Sequence, residues 1–278
     1  MDAALIVIIA GLGGALAEGL LLFFLLPMLK ETGAVRKNYQ GIDIPVSAGL
    51  TFPLAVMLVF LVYILLGQGQ NNYQFFLLGL MTISLLGFID DMLGQRDTLG
   101  FRGHFGALFH GRLTTGGLKA LGGGFVAFFI AVSLGGAWWN VILNTLLMAL
   151  FTNMMNLLDL RPGRAVKGYL FFLLLITAFA LAEVDFLLLI PLLGAVLCYL
   201  PADVKARAMM GDAGSNVLGL ALGMYAAAWL PLPARISFLL FLIAMHIYTE
   251  KYSLTATIEN NKLLKAIDQF GRGETNGQ

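Results

Sequence analysis

Apolar runs near the length that crosses a bilayer alternate along the chain with short polar segments. Nine such runs can be marked: Ala3–Leu29, Leu50–Gly67, Phe75–Ile89, Leu118–Leu134, Trp138–Leu157, Gly168–Ala182, Phe186–Leu200, Val217–Leu230 and Ile236–Tyr248. Backbone groups in hydrocarbon must find partners within their own segment, so these runs predict helices rather than an open sheet. Several are short, which predicts spans that tilt little or lie inside the bundle. No basic residue precedes the first run, which is longer than the apolar region of a leader peptide. It reads as a retained span with its N-terminus outside. The chain after Tyr248 turns polar, with Leu263, Leu264, Ile267 and Phe270 at helical spacing. That tail reads either as a short amphipathic helix on the membrane surface or as a partly ordered extension. The organisation is thus a membrane domain over residues 1–250 and a tail over 251–278, in an all-α integral membrane protein of about nine transmembrane helices.

Composition agrees with that pattern. Of 278 residues, 59% are hydrophobic and 12% charged, and the mean hydropathy is +0.86. A soluble domain carries roughly 25% charged residues. A net charge of +1 offers no field for nucleic acid. The single cysteine, Cys198, excludes an internal disulfide and a multi-cysteine zinc site. His104, His110 and His246 are too few and too scattered for an all-histidine metal site.

Charge also sets the orientation. With the N-terminus outside, every Lys and Arg except Arg235 falls on the inner side, including Arg96, Arg102 and Arg112 after the third run. The outer loops, Gln68–Gln74, Gly135–Ala137, Glu183–Asp185 and Pro231–Arg235, are short. The inner segments hold nearly all the chemistry, and the C-terminus falls on the same, cytoplasmic side.

Four inner clusters stand out. Arg36-Lys37-Asn38-Tyr39-Gln40-Gly41-Ile42-Asp43-Ile44-Pro45 places basic residues beside a Gly/Pro-bent loop, suited to phosphate oxygens or simply to inner-side charge. Asp90-Asp91 end the third run. Neighbouring side chains on a helix diverge by about 100°, so the two carboxylates need not share a task. An acidic pair at the lip of an apolar helix is expensive without a cation, unless it is a solvated helix end. Asn153, Asn156 and Asp159 recur on one helix face, followed by Arg161, Arg164 and Lys167. Amides in an apolar run suit either a ligand or hydrogen bonds between helices. Met210-Gly211-Asp212-Ala213-Gly214-Ser215-Asn216 opens the eighth run. There Ser215 suits an N-cap, and the helix start offers N–H groups to a phosphate. Asp212 suits a hard cation such as magnesium, or manganese. The bland reading is a capping turn. Together the clusters supply an inventory for metal-assisted phosphoryl transfer. No GxxxxGK[ST] loop is present, and Gly122, Gly123 and Gly124 suit helix packing within the chain or a homodimer. Glu18 inside the first run has no assigned role, and His246 reads as structural.

In order and on one side, Asp90-Asp91, Asn153-x-x-Asn156-Leu-x-Asp159 and Gly211-Asp212-x-Gly214-Ser215 resemble the polyprenyl-phosphate N-acetylhexosamine-1-phosphate transferases over about residues 36–225. The loop at Ile44-Pro45 and Lys119 are also similar to family positions. The resemblance implies a magnesium-dependent helical enzyme of the bacterial plasma membrane. It would take a nucleotide-sugar donor and a polyprenyl phosphate acceptor from the lipid. By likeness, Asp212 binds the metal and Asp90 and Asp91 serve the attacking phosphate. Asn156 and Asp159 line the cleft, Lys37 and Lys119 contact phosphates or nucleotide, and Asn153, Gly214 and Ser215 help bind substrate. A phosphate monoester has a second pKa near ~6, so at neutral pH the acceptor needs relief from repulsion more than a base.

The chain departs from the family at Leu160-Arg161-Pro162-Gly163, where the usual pattern is Gly-x-Asp-Gly. Pro162 stands where the family carries an aspartate implicated in nucleobase binding, and Arg161 and Arg164 suit the donor's phosphates instead. The histidine-rich loop after the ninth span and a tenth span are also missing. Two alternatives remain: a transporter gated by the same inner charges, although no inverted repeat is evident, and an inactive relative that binds lipid phosphate.

Overall fold

The computed structural model describes residues 3–68, 70–94, 111, 113–180 and 184–272. Arg96, Arg102, His104, His110, Arg112 and Glu183 lie outside the described residues. Each apolar run becomes one long helix: α1 (Ala3–Glu31), α2 (Thr51–Leu65), α3 (Asn71–Leu93), α4 (Thr115–Leu134), α5 (Trp138–Leu158), α6 (Arg164–Phe179), α7 (Phe186–Val204), α8 (Asp212–Trp229) and α9 (Leu232–Lys251). Among the described residues, seven of these are long and apolar enough to cross a membrane. The other two are α6, with only 16 residues, and α8. The protein is an all-α integral membrane protein.

The composition of α8 follows from its position. It packs on α3, α5 and α6, and every side chain from Ala213 to Ala226 is buried. A helix walled in by protein needs no lipid-facing stripe, so small residues replace leucine and the neighbours approach closely. The outer faces of other helices carry exposed Leu16, Leu65 and Phe125, as a lipid-facing surface requires.

The helices outrun their apolar cores. α3 continues past Ile89 to Leu93, α7 past Leu200 to Val204, and α8 starts at Asp212 rather than Val217. Hydropathy stops at the first charge, whereas backbone hydrogen bonding continues. Asp90, Asp91, Asp203 and Asp212 consequently sit on helix ends, held by helical backbone. The C-termini of α1, α3, α5, α7 and α9 and the N-termini of the helices between them meet at one end of the bundle, linked by the side-chain contacts described below.

The segment after α1, read as a bent loop, is a hairpin. β1 (Val35–Lys37) and β2 (Asp43–Pro45) run antiparallel, pairing Val35 with Pro45 and Lys37 with Asp43. Asn38 Oδ1 accepts the Gln40 and Ile42 N–H groups and closes the turn. The hairpin is stitched to the segment before α8: Met209 N–H donates to Pro45 O at 2.8 Å, and Ala48 N–H to Met209 O at 3.0 Å.

The tail folds into α10 (Leu254–Asn260), capped by Ser253, and α11 (Lys262–Gln269), capped by Asn261. Gly122 and Gly123 pack on Leu86 and Ile83 of α3, and only Gly124 faces open space. Glu18 is buried and accepts a 2.6 Å hydrogen bond from Thr51 Oγ1, between α1 and α2. His246 Nδ1 lies 2.7 Å from the Leu242 carbonyl within α9, a local helical contact.

Candidate active site

A cavity of about 690 Å³ opens at the end of the bundle where these helix ends meet. The hairpin, the end of α3, the α5–α6 turn, the end of α7 and the start of α8 form its wall. Its wall includes the carboxylates Asp43, Asp91, Asp159, Asp203 and Asp212 and the cations Arg36, Lys37 and Arg161, while Asp90 and Lys119 lie beside Asp212 and are not part of the wall.

Asp90 and Asp212 converge on one ammonium. Lys119 Nζ, from the second turn of α4, lies 2.9 Å from Asp90 Oδ2 and also pairs with Asp212 Oδ2. All three are partly buried, so this triad is shielded from bulk water more than a surface pair is. Asp91 points elsewhere. Its Oδ1 accepts the Asp212 N–H at 3.0 Å and its Oδ2 the Ala213 N–H at 3.2 Å, capping α8 with a negative charge. Ser47 Oγ donates to the same Oδ2 at 2.6 Å, and the Arg36 guanidinium donates to the Asp91 carbonyl. Thus the α8 N–H groups suited to a phosphate are taken by a carboxylate from α3. Gly211, with φ of 69°, passes close enough that a Cβ would overlap Asp91.

On α5, Asn156 and Asp159 face the cavity, whereas Asn153, a turn earlier, is not part of its wall. Asp159 sits at the α5 C-cap and accepts a hydrogen bond from the Gly211 backbone. Desolvation, then the charges of Asp203, Asp212 and Asp91, push its carboxyl well above the usual carboxylate range. Arg161 stands over the Tyr39 ring, 5.8 Å from its centroid, and 3.6 Å from Glu259 Oε1. Lys37 lines the cavity from β1 and is exposed.

Three expectations from the sequence are corrected by packing. Arg164 does not reach the cavity: it is buried, with Nε and Nη2 on the two oxygens of Asp268 at 2.8 and 3.0 Å. Gly214 serves a helix contact, since a Cβ there would overlap Met210 and press on Gly49. Ser215 is not the N-cap, which is Gly211; it is fully buried in α8, and its hydroxyl has no partner among the described residues. Conversely, Asp203 was passed over. It is buried at the end of α7, lines the cavity, and accepts the Gly163 N–H at 3.1 Å. Ser47, which with Ala48 and Gly49 follows the first inner cluster, is held at φ of 62° beside Asp91.

The donor set fits a hard divalent cation. Among the described residues, no cluster of three or more acidic, histidine or cysteine side chains is arranged to hold a metal alone. Two carboxylates, Asp90 and Asp212, do converge, and the charge between them is already positive. Magnesium is held by one or two carboxylates with water and substrate phosphates completing the shell, rather than by an all-protein cage.

No curated protein matches the chain. Residues 73–230 match the family described as Glycosyl transferase family 4. The matched span contains Asp90, Asp91, Lys119, Asn156, Asp159, Asp203 and Asp212, whereas the hairpin residues of the cavity wall lie outside it. With the match covering more than half its length, the chain belongs to glycosyl transferase family 4, the polyprenyl-phosphate sugar-1-phosphate transferases.

Proposed function

We propose that the protein transfers a sugar 1-phosphate, of the N-acetylhexosamine class, from a UDP-sugar to undecaprenyl phosphate at the cytoplasmic face of the bacterial plasma membrane. An acceptor phosphate oxygen attacks the sugar-linked phosphorus of the donor. The bond between that phosphorus and the bridging oxygen breaks, UMP leaves with that oxygen, and the lipid carries the sugar on a new diphosphate. The reading is supported above all by the meeting of carboxylates and cations from separate elements in one cavity at the end of the bundle rich in Lys and Arg.

Charge decides what the residues must do. The cavity wall carries more carboxylates than cations, while both substrates are anions. Phosphoryl transfer depends chiefly on positioning and on neutralising charge. Asp90 and Asp212 would hold Mg²⁺ or Mn²⁺, which when bound supplies Lewis-acid neutralisation of the phosphates. Lys119 keeps the two carboxylates together, beside the cavity wall that Asp212 forms. Arg161 and Lys37 face the cavity and balance the donor's diphosphate. Asp91 acts through structure, fixing the start of α8 and so the direction of Asp212. The acceptor's second pKa near ~6 removes the need for a strong base.

The test is direct. Purified protein in lipid nanodiscs, given Mg²⁺, undecaprenyl phosphate and a panel of radiolabelled nucleotide sugars, should form a lipid-extractable product and a nucleoside monophosphate. Asp212→Asn should lower that rate at least about a hundredfold, the scale of losing one aimed electrostatic group. A wild-type protein that labels no lipid from any donor, or an Asp212→Asn variant as fast as wild type, would sink the proposal.

A further inference from the structure

The tail docks on the α5–α6 turn and the start of α6. Every polar residue from Arg161 to Lys167 meets it. Arg161 pairs with Glu259 of α10 at 3.6 Å. The Pro162 carbonyl accepts Arg272 Nε at 2.8 Å. Arg164 grips Asp268 with two nitrogens and donates through Nη1 to Thr255 Oγ1 at 3.0 Å. Lys167 Nζ reaches the carbonyls of Ile267, Asp268 and Phe270 at 3.0, 2.8 and 2.7 Å. Arg272 Nη2 then closes the network on Asp268 at 2.8 Å.

Within the turn, Arg164 N–H donates to Arg161 O at 3.2 Å, and the tail supplies further ties. Leu160 is 64% exposed, and Gly163 adopts φ of 75°. Proline has no N–H, so the carbonyl is the only backbone hydrogen-bonding group at Pro162, and Arg272 takes it. The Gly163 N–H goes to Asp203. Cavity-lining Asp159 and Arg161 sit on this turn, so its placement sets theirs.

We infer that residues 254–272 are a strap that holds the α5–α6 turn in the cavity wall, with Asp268 and Arg272 as positioning residues for Asp159 and Arg161. The kinetic part of this inference rests on the transferase reading; the positional part does not. Planar guanidinium groups suit such a task, because a fork of N–H donors fixes orientation as well as distance.

Hydrogen–deuterium exchange of nanodisc-embedded protein tests it without turnover. In Arg272→Ala, amides of residues 159–167 should exchange about tenfold faster, the scale of one lost hydrogen bond, while α8 stays protected. In the lipid-labelling assay the same variant should raise KM for the nucleotide sugar more than it lowers kcat. Unchanged exchange at 159–167, with faster exchange confined to 262–272, overturns the inference. Should Arg272→Ala lose protection throughout α8, the wild type decides instead. A strapped turn opens together with residues 262–272, at one common free energy; a turn markedly better protected than the tail overturns it. A protein inactive toward every donor leaves the exchange result standing, which separates failure of the strap from failure of the transferase reading.

Discussion

On a helix, neighbouring side chains diverge by about 100°, and at the end of α3 this sends Asp90 to Lys119 and Asp91 into the first turn of α8. The two carboxylates therefore fail differently when neutralised. Asp91→Asn keeps one acceptor oxygen but turns an NH₂ group toward N–H donors, and the α8 cap loses its charge. An N-cap substitution typically costs about 0.5–2 kcal/mol, so the thermal midpoint should fall. Asp90→Asn removes only one arm of an ion pair that is partly exposed, and its thermal midpoint should stay near wild type while product formation drops. Thermal unfolding in detergent, read beside the lipid-labelling rate, separates the two. Equal destabilisation by both variants would contradict the division of labour. The same comparison shows why this site was only partly legible. Acidic and amide residues in or beside apolar runs are costly enough to stand out, which marks Asp90, Asp91, Asn156, Asp159 and Asp212. Asp203 obeys the same rule but has no second acidic or amide residue within several positions to draw notice. Arg164 was assigned to phosphate because its partner, Asp268, lies 104 residues away, and no local pattern encodes that meeting.

Elements meet at this site through small residues and through a docked tail. Gly49, in the turn before α2, lies against Gly214 so closely that a Cβ would overlap Gly214 backbone. Backbone cannot swing aside as a side chain can, so Gly49→Ala must push the turn off α8. Overpacking of this kind costs about 1–3 kcal/mol, and the thermal midpoint should fall by several degrees. Gly124→Ala meets nothing within 4 Å and gains helix propensity, so it should be neutral or stabilising. A Gly49→Ala protein as stable as wild type would contradict the backbone contact. At the other edge of the site, docking of the tail depends on pH through Asp268. Burial raises its carboxyl, but Arg164 and Arg272 outweigh that and hold it below its ordinary value of 3.8. The stabilisation is therefore complete above the free carboxyl's pKa and disappears as pH falls through the lower docked value. Hydroxyl-radical footprinting of residues 262–272 should show constant protection from neutral pH down to about pH 4, then loss in stronger acid. Protection lost already near neutrality would point to another group. The elements themselves were more legible than the contacts. Apolar runs mark the helices because lipid allows little else, but helix ends continue into charged residues where hydropathy falls silent. The three-residue strands at Val35–Lys37 and Asp43–Pro45 are too short to display any period.

For the whole molecule, the distribution of charge and the placement of the cavity make one statement about direction. The cavity end of the bundle, with the hairpin and the tail, carries every described Lys and Arg except Arg235. Arg235 sits at the far end, donating through Nη1 to Asn140 and Asn144, each at 3.0 Å. Basic residues flanking spans are generally retained on the cytoplasmic side, and the proposed reaction requires a cavity open to a cytoplasmic nucleotide sugar. The two call for the same orientation on different physics: one on membrane insertion, the other on where the proposed donor is made. Cysteine labelling in intact cells tests them together. Cys198 is partly exposed within α7 and is first replaced by Ala. A new cysteine at Gly135, in the exposed turn between α4 and α5, should react with a membrane-impermeant maleimide added outside. One at Lys205, exposed just past α7 at the cavity end, should react only after the cells are permeabilised. The reverse pattern would place the cavity outside, away from any cytoplasmic nucleotide sugar, and the proposed reaction would then lack its donor even if every side-chain contact stood. The labelling thus bears on function independently of turnover, and does so through the orientation of the chain alone.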